Sequence, residues 1–210
     1  MLKWGSRRAE SPQAAPAPAA PVETVVASKV FPKFLSAVAQ QPSPTLLDLG
    51  PVVGSNVTFF GDRLACKMHV EDLFADVESF NKRGDRAGLL AFLATRLSQA
   101  PDSIDGVLCW DLFDFLDKPS GLVLASKLAR MVRRGGALYG TFGTTPVELK
   151  NYTRTVVAAE DSLKPRPYPA TPVPRTVLLT RDIIKMFDGL IVAESMLLKS
   201  STRETLFRRP

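Results

Sequence analysis

The sequence predicts an α/β protein: a mostly parallel sheet with helices on both faces, closed by a C-terminal antiparallel hairpin. Three observations lead there. Short, nearly unbroken apolar runs recur, as in "TLLDLG", "IDGVLCW" and "ALYGTFG", and strands buried on both faces read this way. Segments with apolar residues at helical spacing lie between these runs, an alternation typical of parallel sheets. The final pair, "LIVAESMLL" and "RETLFRR", is joined by the polar "KSST" and reads as a hairpin.

The elements follow in order. Residues 11–27, "SPQAAPAPAAPVETVVA", bury too little apolar surface to offset their ordering entropy, so residues 1–28 are expected to form a disordered, Pro/Ala-rich arm ahead of a domain spanning 29–210. A short helix is expected from about Pro32 to Ala39, with proline in its first turn and Pro42 and Pro44 beyond its end. "TLLDLG" is a strand, "SNVTFFGDR" a helix with Ser55 or Asn56 as cap, and "RLACKMHVED" a second strand ending in Glu71 and Asp72. "DLFADVESF" has apolar residues at 73, 74, 77 and 80. "AGLLAFLATRLSQA" sets Leu89, Leu90, Leu93 and Leu97 on one helical face before Pro101 and Asp102 break it. Gly106–Trp110 is a third strand. "GLVLASKLARMVRRGG" is an amphipathic helix expected to stop at Gly135 and Gly136. "ALYGTFG" is a fourth strand, and "TRDIIKMFDG" a helix with Thr180 as cap. Residues 143–175 carry prolines at 165, 167, 169, 172 and 174 and little periodicity. They are expected to form an irregular insertion, a lid or a binding loop.

Composition narrows the function classes. The chain has 210 residues, 45% hydrophobic and 23% charged, ordinary values for a soluble globular protein. No apolar run reaches the roughly 20 residues needed to span a bilayer. No apolar stretch follows "MLKWGSRRAESPQ", so no secretory signal is expected and a cytoplasmic location is. Cys66 and Cys109 lie in apolar runs and are expected as buried free thiols. With His69 the sole histidine, a zinc site has little to build on. The net charge of +6 is diffuse, and no aromatic-plus-basic stripe marks a nucleic-acid surface.

In an open parallel sheet, ligands bind beyond the carboxyl ends of the strands. Asp48, Gly50, Pro51, Gly54 and Asn56 arrive there from the first strand, Glu71 and Asp72 from the second, Trp110, Asp111 and Asp114 from the third, and Thr141, Phe142 and Gly143 from the fourth. The bend has no lysine, which excludes a P-loop, and the Gly50–Gly54 spacing is not G-x-G-x-x-G. A set rich in acids suits a cationic ligand carrying a sugar diol, whose hydroxyls a carboxylate accepts. The alternatives are structural: glycines for a tight turn, Glu71 and Asp72 as helix caps, Asp111 and Asp114 as solvated loop acids, His69 as a core residue.

"LLDLGPVVGSN", the acidic end of "CKMHVED", "IDGVLCWDLFDFLD", "RRGGALYGTFG" and the terminal hairpin resemble, in order, the motifs of the seven-stranded, Rossmann-like S-adenosylmethionine-dependent methyltransferases. The resemblance covers roughly residues 30–210. It implies that Asp48, Gly50 and Gly54 face the methionine part of S-adenosylmethionine, that Asn56 belongs to the cofactor site, that Glu71 or Asp72 holds the ribose, and that Trp110 and Asp111, also cofactor-binding, lie at the active-site end. Val52 stands where the family has its middle glycine, no third family strand is evident between Val70 and Ile104, and no Asn-Pro-Pro-Tyr motif is present. The implied function is methyl transfer to an unidentified acceptor. The alternative is a non-catalytic protein that keeps the fold for a scaffold or partner-binding role, with 143–175 or the arm as the docking segment. No residue stands out as a general base, and in-line positioning can supply most of the acceleration of such a transfer.

Overall fold

The computed structural model describes residues 24–210; residues 1–23 of the expected arm lie outside the described residues. The strands are β1 (Val26–Ala27), β2 (Thr45–Asp48), β3 (Lys67–Val70), β4 (Ile104–Trp110), β5 (Val132–Gly143), β6 (Glu148–Ala159), β7 (Ser162–Pro174), β8 (Ile191–Leu197) and β9 (Thr202–Arg208). The helices are α1 (Phe31–Val38), α2 (Gly54–Leu64), α3 (Leu73–Arg83), α4 (Arg86–Arg96), α5 (Lys118–Met131) and α6 (Thr180–Met186). A six-stranded sheet has the order β3-β2-β4-β5-β9-β8. β3, β2, β4 and β5 run parallel, and β9 is antiparallel to both β5 and β8. As the sequence suggests, the stretch between Val70 and Ile104 holds two helices and no strand, so β3 is a sheet edge.

Adjacent residues of the central strands enter opposite cores. Leu47, Val107, Cys109 and Leu138 pack under α3, α4, α5 and α6. Leu46, Leu108, Trp110 and Tyr139 pack under α1 and α2 with Phe31, Phe34 and Phe60. This two-sided burial is what the unbroken apolar runs require, and each buried leucine contributes about 1.5–3 kcal/mol. Cys109 is buried and Cys66 partly buried, both as free thiols. No helix among the described residues is long and apolar enough to cross a membrane.

Four expectations are corrected. The segment 143–175 is not irregular: β6 and β7 form a long antiparallel hairpin, joined by β1 into a separate three-stranded sheet. Pro165, Pro167 and Pro169 pair opposite Thr155, Thr153 and Asn151. Spaced by two, they put every missing N–H on the same edge, where the β6 ladder needs no donor. Second, order begins before residue 29. Val26 and Ala27 pair with Leu163 and Ser162, and Ser28 Oγ accepts from Phe31 N at 2.9 Å, because β-branched valines suit the free edge of the hairpin. Third, α5 ends at Met131 rather than at the glycines, and β5 starts at once with β-branched Val132. Gly135, at φ +77°, sits in a strand irregularity before regular pairing resumes at Ala137. Fourth, the caps differ. α2 is preceded by Val53 with no side-chain cap. α6 is preceded by Leu179, whose N–H donates to Asp182 Oδ2 at 3.3 Å.

Candidate functional site

β2 delivers Asp48 to the carboxyl end of the sheet, where Oδ1 accepts from Gly50 N at 2.8 Å and from the Trp110 indole Nε1–H at 2.7 Å. Burial pushes the Asp48 carboxyl up to about 6, against the pull of these two donors. Gly50 is glycine for packing reasons: a Cβ there would lie 2.7 Å from Trp110 Cδ1 and 2.8 Å from its Nε1. Asp48, Gly50 and Trp110 thus form one locked unit that shapes the bend. Gly54 is different. It is the first residue of α2, and a Cβ there would meet nothing within 4 Å. Val52 beside it is 60% exposed. The first turn of α2 therefore opens onto free space, and the leading amides of a helix have no partner within it.

The end of β3 closes the other side. Glu71 N and Leu73 N donate to Asp48 O and Leu49 O at 2.9 and 3.0 Å, tying this connection to the bend. The Glu71 side chain is drawn away. Arg96 Nη1 pairs with it at 2.6 Å and Gln99 Nε2 donates to it at 2.6 Å, while Arg96 also pairs with Asp76. Asp72 precedes α3 and caps it, accepting from Ala75 N at 3.3 Å. Asp72 and Trp110 both adopt left-handed backbone, at φ +34° and +49°. Each costs of order 1–3 kcal/mol, and such strain clusters at functional sites.

The β6–β7 hairpin lies across the strand ends. Asn56 Nδ2 donates to Thr155 O and Asn56 Oδ1 accepts from Val157 N, both at 2.8 Å. Tyr152 stands 5.8 Å from the Phe74 ring, Thr171 Oγ1 donates to Glu78 at 2.7 Å, and Arg63 pairs with Glu160. At the hairpin base Arg175 pairs with Asp114 at 2.9 Å, and Asp114 accepts from Gly143 N at 2.9 Å. Burial raises Asp114 to about 7 and Asp111 to about 6; the Thr153 side chain, bonded to Asp111, and Arg175 pull the other way. Between hairpin and sheet is a cavity of 280 Å³ whose lining includes Asp111, Asp114, Glu204, Tyr139 and Arg175. No group of His, Cys, Asp and Glu among the described residues is gathered to hold a metal.

The residues singled out in sequence therefore separate. Asp48, Gly50 and Trp110 build the bend; Gly54 opens α2 onto free space and Asp72 caps α3. Asn56 and Glu71 are engaged by the hairpin and by α4 and Gln99, and Asp111 enters the cavity. His69 lies on the edge strand beside a groove shared with Glu71 and Gln99, apart from this site. Arg175 and Glu204 were not legible as site residues. Glu204 stands in the largely polar run TRETLFR, where nothing local marks it as buried.

No protein-family model matches the chain, and no curated protein matches it. Solved structures do. The CcbJ methyltransferase of Streptomyces caelestis is 14% identical, with a TM-score of 0.47 over 86% of this chain and 94% of its own. An S-adenosylmethionine-dependent methyltransferase of Clostridium acetobutylicum ATCC 824 is 10% identical, with a TM-score of 0.51 over 85% of this chain and 91% of its own. That likeness, with the strand order and the terminal hairpin, shows that the chain has the Rossmann-like fold of S-adenosylmethionine-dependent methyltransferases.

Proposed function

We propose that this chain is a methyltransferase that binds S-adenosylmethionine at the β2–α2 bend and serves an acceptor not yet identified. The observation that carries the reading is the open face at Gly54, on an uncapped helix start at the sheet end where Asp72 and Trp110 adopt left-handed backbone. Free amides at a helix start suit the carboxylate of a methionine moiety. Asp72, at the end of β3, is the acid placed for a ribose diol, since Glu71 is held by Arg96 and Gln99. Asp48 is a positioning residue: it fixes Gly50 and Trp110, and through them the shape of the bend. The cofactor supplies a methyl group already activated on sulfonium, so this chain's task is to orient the acceptor and exclude water.

Two observations favour the second reading, a non-catalytic scaffold: Glu71 is withdrawn into the ion-pair network of Arg96, and Val52 replaces a glycine at the bend. Calorimetric titration with S-adenosylmethionine and its demethylated product decides between them. The methyltransferase reading expects saturable heat for both ligands in wild type and its loss in Gly54→Val. No heat and no thermal shift at millimolar ligand would establish the scaffold reading instead.

A further inference from the structure

Side chains of α2 and α3 stand in for backbone where the β6–β7 hairpin lacks it. β6 is an outer strand of its sheet, and an outer strand leaves N–H and C=O groups without a ladder partner. Asn56, in the first turn of α2 and 2% exposed, meets two of these groups. Its amide donates to Thr155 O and accepts from Val157 N, both at 2.8 Å, as a neighbouring peptide unit would. β7 has the second gap. Its pairing with β6 jumps from Pro169–Asn151 to Val173–Leu149, so Ala170, Thr171 and Pro172 oppose the single residue Lys150. Glu78 of α3 accepts from the Thr171 N–H at 3.0 Å and from its hydroxyl at 2.7 Å. Tyr152 of β6 rests against Phe74, the second residue of α3. Apolar packing fixes both ends of the hairpin: Leu149 and Val173 in the core under α3 to α6, Val157 and Leu163 in the core under α1 and α2. The stretch between them reaches α2 through Asn56, α3 through Glu78 and Phe74, and the end of β4 through the Thr153–Asp111 bond.

We propose that this middle stretch is a strap between α2 and α3, drawn tight when the β2–α2 bend is occupied, with Asn56 and Glu78 as its two latches. The inference rests on the cofactor reading and adds a moving part to it. α2 follows β2 and α3 follows β3, the neighbouring strand, so both helices start at the same end of the sheet. A ligand that fixes one helix start relative to the other also fixes the spacing of the latches. The strap then loses less freedom on closing, which couples the two events without a change of fold. By linkage, a closed strap strengthens ligand binding by the same factor. Each latch is one side chain on backbone, and a hydrogen bond of that kind shifts an equilibrium by about two- to tenfold. The strap can therefore open while the two cores that anchor its ends stay packed.

The test is residue-resolved amide hydrogen exchange on the full chain, with calorimetry beside it, with and without S-adenosylmethionine. Without ligand, Glu78→Ala should speed exchange at Val157, and Asn56→Ala at Thr171, each by about twofold or more, because releasing one latch frees the other. With saturating S-adenosylmethionine, both amides should slow by about twofold or more in wild type. Each variant should weaken the ligand by about two- to tenfold. The double variant should bind no worse than the poorer single one, the non-additivity expected of one shared element. Where an alanine variant does not fold, Asn56→Asp, which keeps only the acceptor for Val157 N, and Thr171→Val, which keeps only the backbone donor, take its place. Exchange changes confined to the mutated latch, additive losses of affinity, or ligand binding without slowing at Val157 and Thr171 would overturn the strap and leave the cofactor reading standing. No saturable heat with S-adenosylmethionine would overturn both.

Discussion

Replacing Trp110 by Phe tests whether the indole–Asp48 hydrogen bond holds a buried charge. In the folded protein Asp48 titrates at about 6 against an ordinary value of 3.8. The folded state therefore binds the proton more tightly, and stability falls as pH rises from about 4 to about 6. The Nε1–H···Oδ1 bond of 2.7 Å moderates that loss by favouring the carboxylate. Without it the folded pKa rises further, the window of falling stability extends upward, and the loss deepens. At about pH 8 the variant forfeits a bond to a charged acceptor, about 1.5–3 kcal/mol, and at about pH 5 a bond to a neutral acid, about 0.5–1.5 kcal/mol. The smaller ring also loosens packing against Phe31 and Tyr139, whose centroids lie 6.2 and 6.0 Å away, but that cost is the same at both pH values. Urea unfolding of wild type and Trp110→Phe at the two pH values should show a destabilisation about 1 kcal/mol larger at the higher pH. In an Asp48→Asn background the difference should vanish. Destabilisation equal at both pH values within about 0.5 kcal/mol would refute the coupling.

Four further outcomes are expected. Gly54→Val should abolish S-adenosylmethionine binding yet shift the thermal midpoint by no more than about 4 °C, because its Cβ meets open space. Asp72→Ala should lose roughly ten- to a hundredfold in cofactor affinity while losing about 1 kcal/mol of stability with its α3 cap, whereas Glu71→Ala should lose stability by releasing Arg96 and Gln99 and leave affinity unchanged; calorimetry beside thermal melts separates the two. Removing residues 1–23 should leave the melting midpoint unchanged, while removing 1–28 should lower it, since it deletes β1 and the hydrogen bond from Phe31 N to Ser28 Oγ, worth about 0.5–1.5 kcal/mol. Asp111 and Asp114 are raised like Asp48, so stability should fall from about pH 4 to about pH 7. Asp111→Asn should make that fall shallower in pH-dependent denaturation.

What could be read in the sequence was whatever depends on one strand or one helix at a time. The unbroken runs around Leu46, Leu47, Val107 and Leu108 announce two-sided burial, because each residue needs an apolar environment whichever face it takes. Asp48, Gly50, Asp72 and Trp110 could be placed at strand ends because each follows such a run. What stayed illegible depends on partners far along the chain. Glu71 gives no sign that Arg96, a helix away, will claim it. Asn56 reads as a cap, a local role, but is used on the backbone of Thr155 and Val157. The hairpin was hidden by its prolines, since their number argues against a strand while their spacing permits an edge. Arg175 and Glu204 meet only when the hairpin and β9 are brought to one cavity.

The edge strand β8, at the opposite end of the sheet from β3, bears on how copies of this protein behave toward one another. A sheet edge offers unpaired backbone groups to any neighbouring chain, and exposed apolar side chains add adhesion. β8 presents Ile191 and Leu197, 56% and 61% exposed. Against this, its pairing with β9 slips between Val192 and Glu194, and Glu194 is paired with Lys33 of α1. A second molecule laid along β8 would find the ladder out of step at the slip and a charge beside it. What blunts this edge is one irregular residue, Ala193, and one carboxylate, so deleting Ala193 and neutralising Glu194 together would leave it straighter, uncharged and more adhesive.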